Sequence, residues 1–167
     1  LVEEARRTPG CFVGRERELR DMMACLLRET KPGVVLVGPA GCGKTTLVEM
    51  LARRIAAGEV PDALREVPIF DMPLGALLEE AQFIGHLERQ VREVLSTPGR
   101  PIFFVDEIHQ IVRSELRPLV DILKPSLASG QLRMLGATTS TEWRQLQDKA
   151  FRRRFTQLEV SEPSLEE

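Results

Sequence analysis

The sequence predicts an α/β fold in which a parallel sheet of five strands is covered by helices on both faces. Three observations predict this fold. Short apolar segments alternate with helical segments along the chain, as in parallel strands joined by crossover helices. Four of the apolar segments do not alternate with polar residues, which is typical of strands buried on both faces. The first of them leads through a glycine-rich turn into a helix.

Length and composition limit the possible classes of protein. The chain has 167 residues, 43% of them hydrophobic and 29% charged, which fits one globular domain. Its net charge of −2 excludes a basic nucleic-acid-binding surface over the whole molecule, although it is compatible with a local patch. No apolar segment approaches the ~20 residues that span a membrane. The three cysteines lack CxxC spacing and favour a reducing, cytoplasmic location.

The first half of the chain contains two predicted helices and two predicted strands. Residues 16–29 place apolar side chains at helical spacing, and residues 34–37 form a short apolar strand. A helix over residues 44–57 ends where a glycine follows, because glycine is common just past the end of a helix. Residues 67–72 form the second strand, and Pro68 directs it to an edge of the sheet.

The second half continues the same alternation of helices and strands. Residues 74–96 are mostly helical, with a candidate break at Gly85. A loop rich in proline and glycine separates this helix from an apolar strand over residues 102–105. The later predicted elements are a helix over residues 116–129, a strand over 133–138, a helix over 142–151 and a strand over 156–160.

A phosphate-binding motif follows the first strand. The segment from Gly38 to Thr45 matches GxxxxGK[ST] and lies between a strand and a helix, as this motif requires. Its glycines let backbone N–H groups converge on an anion, and the following helix adds the positive end of its dipole. Lys44 is expected to contact the β- and γ-phosphates of ATP, and the Thr45 hydroxyl to bind Mg²⁺. The predicted nucleotide-binding residues here are Gly38, Pro39, Ala40, Gly41, Cys42, Gly43, Lys44, Thr45 and Thr46.

Two carboxylates follow the strand over residues 102–105. Asp106 is expected to hold Mg²⁺, mostly through water, because Mg²⁺ keeps much of its hydration shell. Glu107 is expected to act as the general base that accepts a proton from the attacking water. Taken alone, the pattern also fits a solvated turn. Its position after a complete phosphate-binding motif favours the catalytic interpretation.

Two further polar segments have two interpretations each. Thr138 and Thr139 end the fourth strand, where they either orient the attacking water or the γ-phosphate, or cap the helix that begins near Glu142. Arginines occupy positions 152–154. This cluster is either a source of arginine fingers for the nucleotide of a neighbouring subunit or a solvated basic face.

The motifs together resemble the Clp-type AAA+ ATPases, in particular the large subdomain of the first nucleotide-binding module of the Clp unfoldases and disaggregases. The resemblance extends from about Cys11 to Glu167. Besides the phosphate-binding and acidic motifs, it rests on Phe12-Val13-Gly14-Arg15-Glu16, Gly58-Glu59-Val60-Pro61, Leu123-Lys124-Pro125-Ser126-Leu127-Ala128, Gly136-Ala137-Thr138-Thr139 and Arg153-Arg154-Phe155. It implies a three-layer αβα AAA+ large subdomain over residues 1–167, with an N-terminal extension over about residues 1–11 and without the helical lid subdomain.

The resemblance also implies roles for individual residues and an assembly. Val13 and Gly14 would lie against the adenine, and Thr139 would be the sensor-1 residue. Arg153 and Arg154 would act in trans on the nucleotide of a neighbour. ATP, ADP and Mg²⁺ are the implied cofactors. The full-length protein would form a homo-oligomeric, hexameric ring that threads polypeptide through its pore, with a peptidase as a possible partner and no role for membranes or nucleic acid.

The segment Gln82-Phe83-Ile84-Gly85 aligns with the pore loop of this family. Phe83 would be the aromatic residue that grips an extended polypeptide, since an exposed ring holds a chain without reading its sequence. The alternative is that Phe83 packs in the core as part of a helix over residues 77–95. Two features depart from the family pattern: the segment 110–118 is short, which puts a second pore loop in doubt, and Arg152 stands where an acidic residue is common.

Two other functions are compatible with part of the sequence. A DNA-acting AAA+ motor or a clamp-loader-like switch shares the Asp-Glu and Gly-Ala-Thr-Thr segments, but the acidic net charge and the segment around Phe83 argue against it. A non-catalytic nucleotide-binding adaptor would lack catalytic residues, whereas Lys44, Thr45, Asp106 and Glu107 are all present. The sequence therefore predicts an ATP-hydrolysing module of a Clp-like protein-remodelling machine.

Overall fold

A computed structural model describes residues 1–3, 14–74, 84–96, 99–112 and 116–162. Within these ranges the strands are β1 (Gly33–Val37), β2 (Ile69–Asp71), β3 (Ile102–Val105), β4 (Arg133–Thr138) and β5 (Phe155–Glu159). They form one sheet in the order β2-β3-β4-β1-β5, and every neighbouring pair is parallel. The predicted α/β fold with a five-stranded parallel sheet is confirmed.

Helices cover both faces of this sheet. They are α1 (Glu16–Leu26), α2 (Lys44–Ala57), α3 (Ile84–Ser96), α4 (Arg117–Ser129), α5 (Ser140–Gln145) and α6 (Lys149–Arg152). Buried side chains of α1 and α2 form one hydrophobic core with the sheet, and those of α4, α5 and α6 belong to a second core on the other face. Within the described ranges, no helix combines the length and apolar character that a membrane crossing requires.

The strand order brings the carboxyl ends of three strands together. β1 lies between β4 and β5, with Val37 opposite both Thr138 and Glu159, and β3 pairs with β4 on the far side. All five residues of β1 and all four of β3 are buried, as their continuous apolar sequences predict. The turns that follow these strands therefore meet at one edge of the sheet, which is where ligands bind in open parallel α/β folds.

Some element boundaries differ from the sequence prediction. β2 is limited to Ile69–Asp71, although it does lie at an edge, as Pro68 indicates. The single helix predicted over residues 142–151 is wrong, because Asp148 accepts a hydrogen bond from the Phe151 N–H and begins a second helix. Helix α3 begins at Ile84, one residue before Gly85, and residues 75–83 of the predicted helix lie outside the described residues, so the candidate break at Gly85 stays a prediction.

The early end of α1 has a tertiary cause. The Arg133 side chain is only 3% exposed, and its Nε donates to the carbonyl of Leu26, the last residue of α1, at 2.9 Å. The other two nitrogens donate to the carbonyls of Arg100 and Ala63. Burial, followed by the positive charge of Arg100, lowers the pKa of Arg133 to about 10. A cation from β4 thus satisfies a carbonyl at the negative end of the α1 dipole.

Candidate functional site

A cavity of about 760 Å³ opens at the carboxyl edge of the sheet. Four strand ends contribute to its lining, so it depends on the order of the strands rather than on any single motif. The lining residues that matter below are Gly43, Lys44, Thr45, Asp71, Asp106, Glu107, Gln110, Thr138, Thr139 and Glu142. The predicted phosphate-binding and acidic residues therefore meet at one site.

The turn between β1 and α2 has the shape of an anion-binding loop. Gly41 and Gly43 have φ angles of +78° and +90°, in the left-handed region that glycine enters without steric cost. α2 begins at Lys44 immediately after this turn, so its free N–H groups face the loop. The Lys44 Nζ folds back and donates to the carbonyls of Gly38 at 2.9 Å and Pro39 at 2.6 Å.

The two predicted magnesium ligands are in direct contact. The Thr45 hydroxyl donates to Asp106 Oδ2 at 3.2 Å, although 61 positions separate the two residues. The other carboxylate oxygen, Oδ1, accepts a hydrogen bond from the Glu107 N–H at 2.9 Å. A hydroxyl and a carboxylate are the oxygen ligands that Mg²⁺ prefers. This pair of side chains therefore fits the ion.

Glu107 is held in an unusual conformation beside the cavity. Its φ angle is +49°, which is uncommon for a residue with a side chain, and such strained residues cluster at functional sites. The Gln110 side-chain amide donates to Glu107 Oε2 and fixes the direction of the carboxylate. Sequence reasoning did not select Gln110. Gln110 lies three residues after Glu107, in the 3₁₀ turn Ile108–Val112, and only this turn brings its amide to the carboxylate.

At the end of β4 the structure shows the capping interpretation of the threonine pair. The Thr139 hydroxyl accepts from the Glu142 N–H at 3.3 Å and donates to Glu142 Oε2 at 2.7 Å. The Thr139 N–H also donates to that oxygen, which completes a capping box at the start of α5. Hydrogen bonds from the Thr139 hydroxyl, the Thr139 N–H and the Thr138 hydroxyl lower the pKa of Glu142. The sensor-1 role of Thr139 stays a prediction.

Glu142 connects this cap to the acidic strand end. Its Oε2 also accepts from the Thr138 hydroxyl at 3.1 Å, and Thr138 lies 3.0 Å from His109 Nδ1. Sequence reasoning selected neither His109 nor Glu142 as a site residue. The Thr139-x-x-Glu142 spacing of a capping box was the signal that could have found Glu142.

The three clustered arginines have different environments. The Arg154 Nε donates to the Lys124 carbonyl at 2.9 Å, and its Nη1 donates to the Ala150 carbonyl. Arg152 lies over the Trp143 ring at 5.8 Å and donates to a backbone carbonyl of α5. Arg153 is exposed, and its side chain makes no hydrogen bond or ion pair with any residue that the structure describes. Of the two predicted fingers, Arg153 thus extends into solvent while Arg154 donates to two carbonyls, and the action of either residue in trans stays a prediction.

Three of the predicted contacts are not tested by the described residues. Val13 and Phe83 lie outside the described residues, so the adenine contact and the pore-loop contact stay predictions. Gly14 is described and has a φ angle of +90°, but its contact with adenine also stays a prediction. Asp71 lines the cavity and was missed. Its signal was a carboxylate at the end of a predicted strand, in the same position relative to the sheet as Asp106.

Fold and site together define a class of protein. A phosphate-binding turn between a buried strand and a helix, facing two carboxylates across the carboxyl edge of a parallel sheet, is the arrangement of P-loop nucleotide-binding domains. Comparison with known proteins narrows the class further. Residues 34–162 match the ATPase family associated with various cellular activities (AAA), and the chain belongs to this family.

The curated relatives are chaperones of the Clp type. The chain is 43% identical over 176 residues to the chaperone protein ClpB 2 of Parasynechococcus marenigrum, an alignment that covers 99% of this chain and 19% of the relative. It is 40% identical over 178 residues to the chaperone protein ClpB of Lactiplantibacillus plantarum, covering 100% of this chain and 20% of the relative. The chain therefore spans about one fifth of the length of these relatives.

Solved structures of Hsp104 are similar to the whole chain. A closed-state reconstruction of Hsp104 with ATPγS and FITC-casein matches with a TM-score of 0.85 and 36% identity, covering 99% of this chain and 30% of that one. The Saccharomyces cerevisiae Hsp104–ADP complex matches with a TM-score of 0.86 and 34% identity, covering 99% and 24%. The predicted resemblance to the Clp-type AAA+ ATPases is confirmed.

Proposed function

We propose that this chain is the ATP-binding and ATP-hydrolysing module of a protein-remodelling chaperone. The observation that carries the proposal is the meeting of Lys44, Thr45, Asp106 and Glu107 at one cavity, with the Thr45 hydroxyl 3.2 Å from Asp106. Membership of the AAA family and similarity to ClpB and Hsp104 over the whole chain support it.

Nucleotide binding begins at the turn between β1 and α2. Lys44 donates to the carbonyls of Gly38 and Pro39, and we expect it to exchange these neutral acceptors for the β- and γ-phosphate oxygens. Hydrogen bonds between charged partners are about twice as strong as neutral ones, so the exchange favours the bound state. The backbone N–H groups of the turn and of the first turn of α2 complete the phosphate site.

The Thr45 hydroxyl and the Asp106 carboxylate would hold Mg²⁺, the latter mostly through water. When bound, the ion neutralises charge on the β- and γ-phosphates. Asp106 is already oriented for this role, since its second oxygen accepts the Glu107 N–H.

Glu107 carries the hydrolytic step in this proposal. The oxygen of a water molecule attacks the γ-phosphorus, the bond from that phosphorus to the bridging oxygen of ADP breaks, and the water proton passes to the Glu107 carboxylate. Gln110 orients this carboxylate through its amide. Thr139 lines the same cavity, and the capping box with Glu142 sets the direction of its hydroxyl.

The substrate and the assembly are proposed from the relatives. One Hsp104 structure that resembles this chain contains casein, and we propose a polypeptide as the substrate here. Phe83 is the proposed gripping residue in a homo-oligomeric ring, which is expected to be hexameric and cytoplasmic. A partner peptidase is a further element of this proposal.

The deciding experiment compares unfolded protein with DNA as stimulators of ATP hydrolysis by the native protein. We expect casein to raise the rate and single-stranded DNA of several lengths to leave it unchanged. Stimulation that grows with DNA length and is absent with casein would instead support the DNA-acting motor. ATP binding without any hydrolysis would support the non-catalytic adaptor. The Lys44→Ala variant supplies the background rate.

The structure predicts different effects for the two candidate finger arginines. Arg153→Ala should change the free energy of unfolding by no more than about 0.5 kcal/mol, because its side chain is exposed. Arg154→Ala should lower that free energy by about 1–2 kcal/mol, because two carbonyls lose their donor. In the assembled protein, Arg153→Ala should slow ATP hydrolysis about tenfold, the value of one charge-assisted hydrogen bond in the transition state. Urea unfolding and steady-state hydrolysis measure both effects.

Mixing subunits tests whether Arg153 acts in trans. Subunits with Arg153→Ala keep Glu107, and subunits with Glu107→Gln keep Arg153. Mixed assemblies should therefore regain hydrolysis at interfaces where the two intact residues meet. If the mixture is no more active than the average of its components, Arg153 does not act on a neighbouring subunit.

A further inference from the structure

Arg15 belongs to the first motif on which the family resemblance rests. The proposed mechanism assigns this residue no role. It immediately precedes α1, with a φ angle of +61°, in the left-handed region where an arginine is uncommon. Its side chain is only 11% exposed, which is low for a group that usually extends into solvent. A strained backbone and a buried cation have to be maintained by specific contacts.

Those contacts join segments that are far apart in the sequence. Arg15 Nη2 donates at 2.8 Å to the carbonyl of Cys42, in the phosphate-binding turn. The same nitrogen donates at 2.8 Å to the carbonyl of Ser161, just after β5. Nη1 lies 3.4 Å from the Glu18 carboxylate on α1. One guanidinium thus connects the start of α1, the phosphate-binding turn and the segment that leaves the sheet.

The contact with Cys42 bears on how the turn presents its donors. The Cys42 carbonyl and the Gly43 N–H belong to one planar trans peptide, so they point in opposite directions. Cys42 is 1% exposed, whereas Gly43 lines the cavity and has a φ angle of +90°. Glycine leaves this peptide free to rotate. Because Arg15 holds the Cys42 carbonyl on the side away from the cavity, the Gly43 N–H of the same peptide is directed toward the cavity.

The contact with Ser161 anchors Arg15 to a segment that is hydrogen-bonded to the sheet. The N–H of Val160 donates to the Val37 carbonyl at 2.8 Å, which extends the pairing of β5 with β1. The Val160 carbonyl lies so close to Gly38 that a Cβ atom there would be 2.2 Å from it. The segment after β5 therefore packs against the first residue of the phosphate-binding turn, and Arg15 links it to Cys42, near the turn's other end.

We propose that Arg15 is a positioning residue for nucleotide binding, which orients the Cys42–Gly43 peptide of the phosphate-binding turn by tying it to the segment after β5. The inference rests on the proposed function, since it concerns the same nucleotide site. Arg15 contacts no reacting atom. Its effect is on the affinity for phosphate groups rather than on the chemistry at Glu107.

The test replaces Arg15 by alanine and by lysine in the native protein. Arg17→Ala is the matched control, because Arg17 lies two residues further on in the first turn of α1, is 87% exposed and pairs with Asp21. The dissociation constants for ADP and ATPγS are measured by calorimetry, and KM and kcat for ATP by steady-state hydrolysis. We expect Arg15→Ala to raise the dissociation constants and KM about tenfold, the value of a charged hydrogen bond, with kcat within about twofold of the wild type.

The lysine variant separates positioning from mere support of the fold. Its ammonium can donate to both carbonyls, so we expect Arg15→Lys to recover at least half of the lost binding energy. The control should bind like the wild type. If the alanine variant does not fold, Arg15→Gln takes its place with the same expectation.

Two results would overturn the inference. One is wild-type affinity in Arg15→Ala. The other is a loss of binding that matches the loss of folded protein and is not recovered by lysine. These outcomes leave the proposed function intact, because the wild-type protein still binds nucleotide. Absence of ADP and ATPγS binding by the wild-type protein would overturn the proposed function itself, and with it the role of Arg15.

Discussion

Lys44→Ala is expected to weaken ATP binding about 10³-fold. The ammonium is the proposed ligand of two phosphate groups, and hydrogen bonds between charged partners contribute roughly 1.5–3 kcal/mol each, with a factor of ten for every 1.4 kcal/mol. The fold should be nearly unaffected, because in the free protein Lys44 Nζ contacts the Gly38 and Pro39 carbonyls and the Cys42 sulfur beside an open cavity. Calorimetric titration with ATP measures the change in affinity.

A matched control for this change is Lys31→Ala. Lys31 is exposed and precedes β1, at the opposite end of the strand from the phosphate-binding turn. The Lys31→Ala substitution removes one positive charge and should leave the affinity for ATP unchanged. The stabilisation of the wild-type protein by saturating ATP, seen as a rise in Tm, should disappear in Lys44→Ala and persist in Lys31→Ala. Equal ATP affinity in all three proteins would show that Lys44 is not a phosphate ligand.

Glu107→Gln is expected to lower kcat by about 10³-fold while ATP affinity is retained. Glutamine has the same shape, but its amide cannot accept the proton of the attacking water, and general-base catalysis contributes roughly 10²–10⁴ to a rate. Thr45 and Asp106 keep their direct contact, so the proposed magnesium ligands survive. Single-turnover release of phosphate measures the chemical step, and equilibrium titration measures the affinity.

The control for this change is Glu49→Gln. Glu49 is exposed on α2, one turn beyond Thr45. Its replacement by glutamine removes the same charge without changing a residue of the cavity. It should hydrolyse ATP at the wild-type rate. If Glu107→Gln also turns over at that rate, the base is another group. Asp71 is then the next residue to replace, since its carboxylate ends β2 at the same cavity.

Local signals predicted most elements, and the boundaries they missed have tertiary causes. The predicted amphipathic helix extends to residue 29, but α1 ends at Leu26, whose carbonyl accepts a hydrogen bond from Arg133. The helix predicted over residues 142–151 divides because Leu146 is extended and Asp148 caps a new helix. Burial of the Asp148 carboxylate favours its neutral form, but hydrogen bonds from Lys124 and Phe151 outweigh burial and lower the pKa of Asp148.

The candidate site was predicted where its residues form a contiguous motif. The phosphate-binding turn and the Asp106–Glu107 pair can each be recognised from a few residues that follow a strand. Gln110 and Glu142 could not be selected in the same way, because each acts by contacting a residue already in the site. The arginine cluster was also ambiguous, since the sequence of three adjacent arginines does not say which one faces outward.

The sequence by itself determined the class of site, because a glycine-rich turn after a buried strand creates a phosphate cradle from backbone atoms of neighbouring residues. Only the tertiary structure decided the contacts between distant segments: Thr45 with Asp106, Arg154 with Lys124, and Arg15 with Cys42 and Ser161. These contacts depend on the strand order β2-β3-β4-β1-β5. That order arises from burying both faces of the sheet at once, and no short stretch of sequence encodes it.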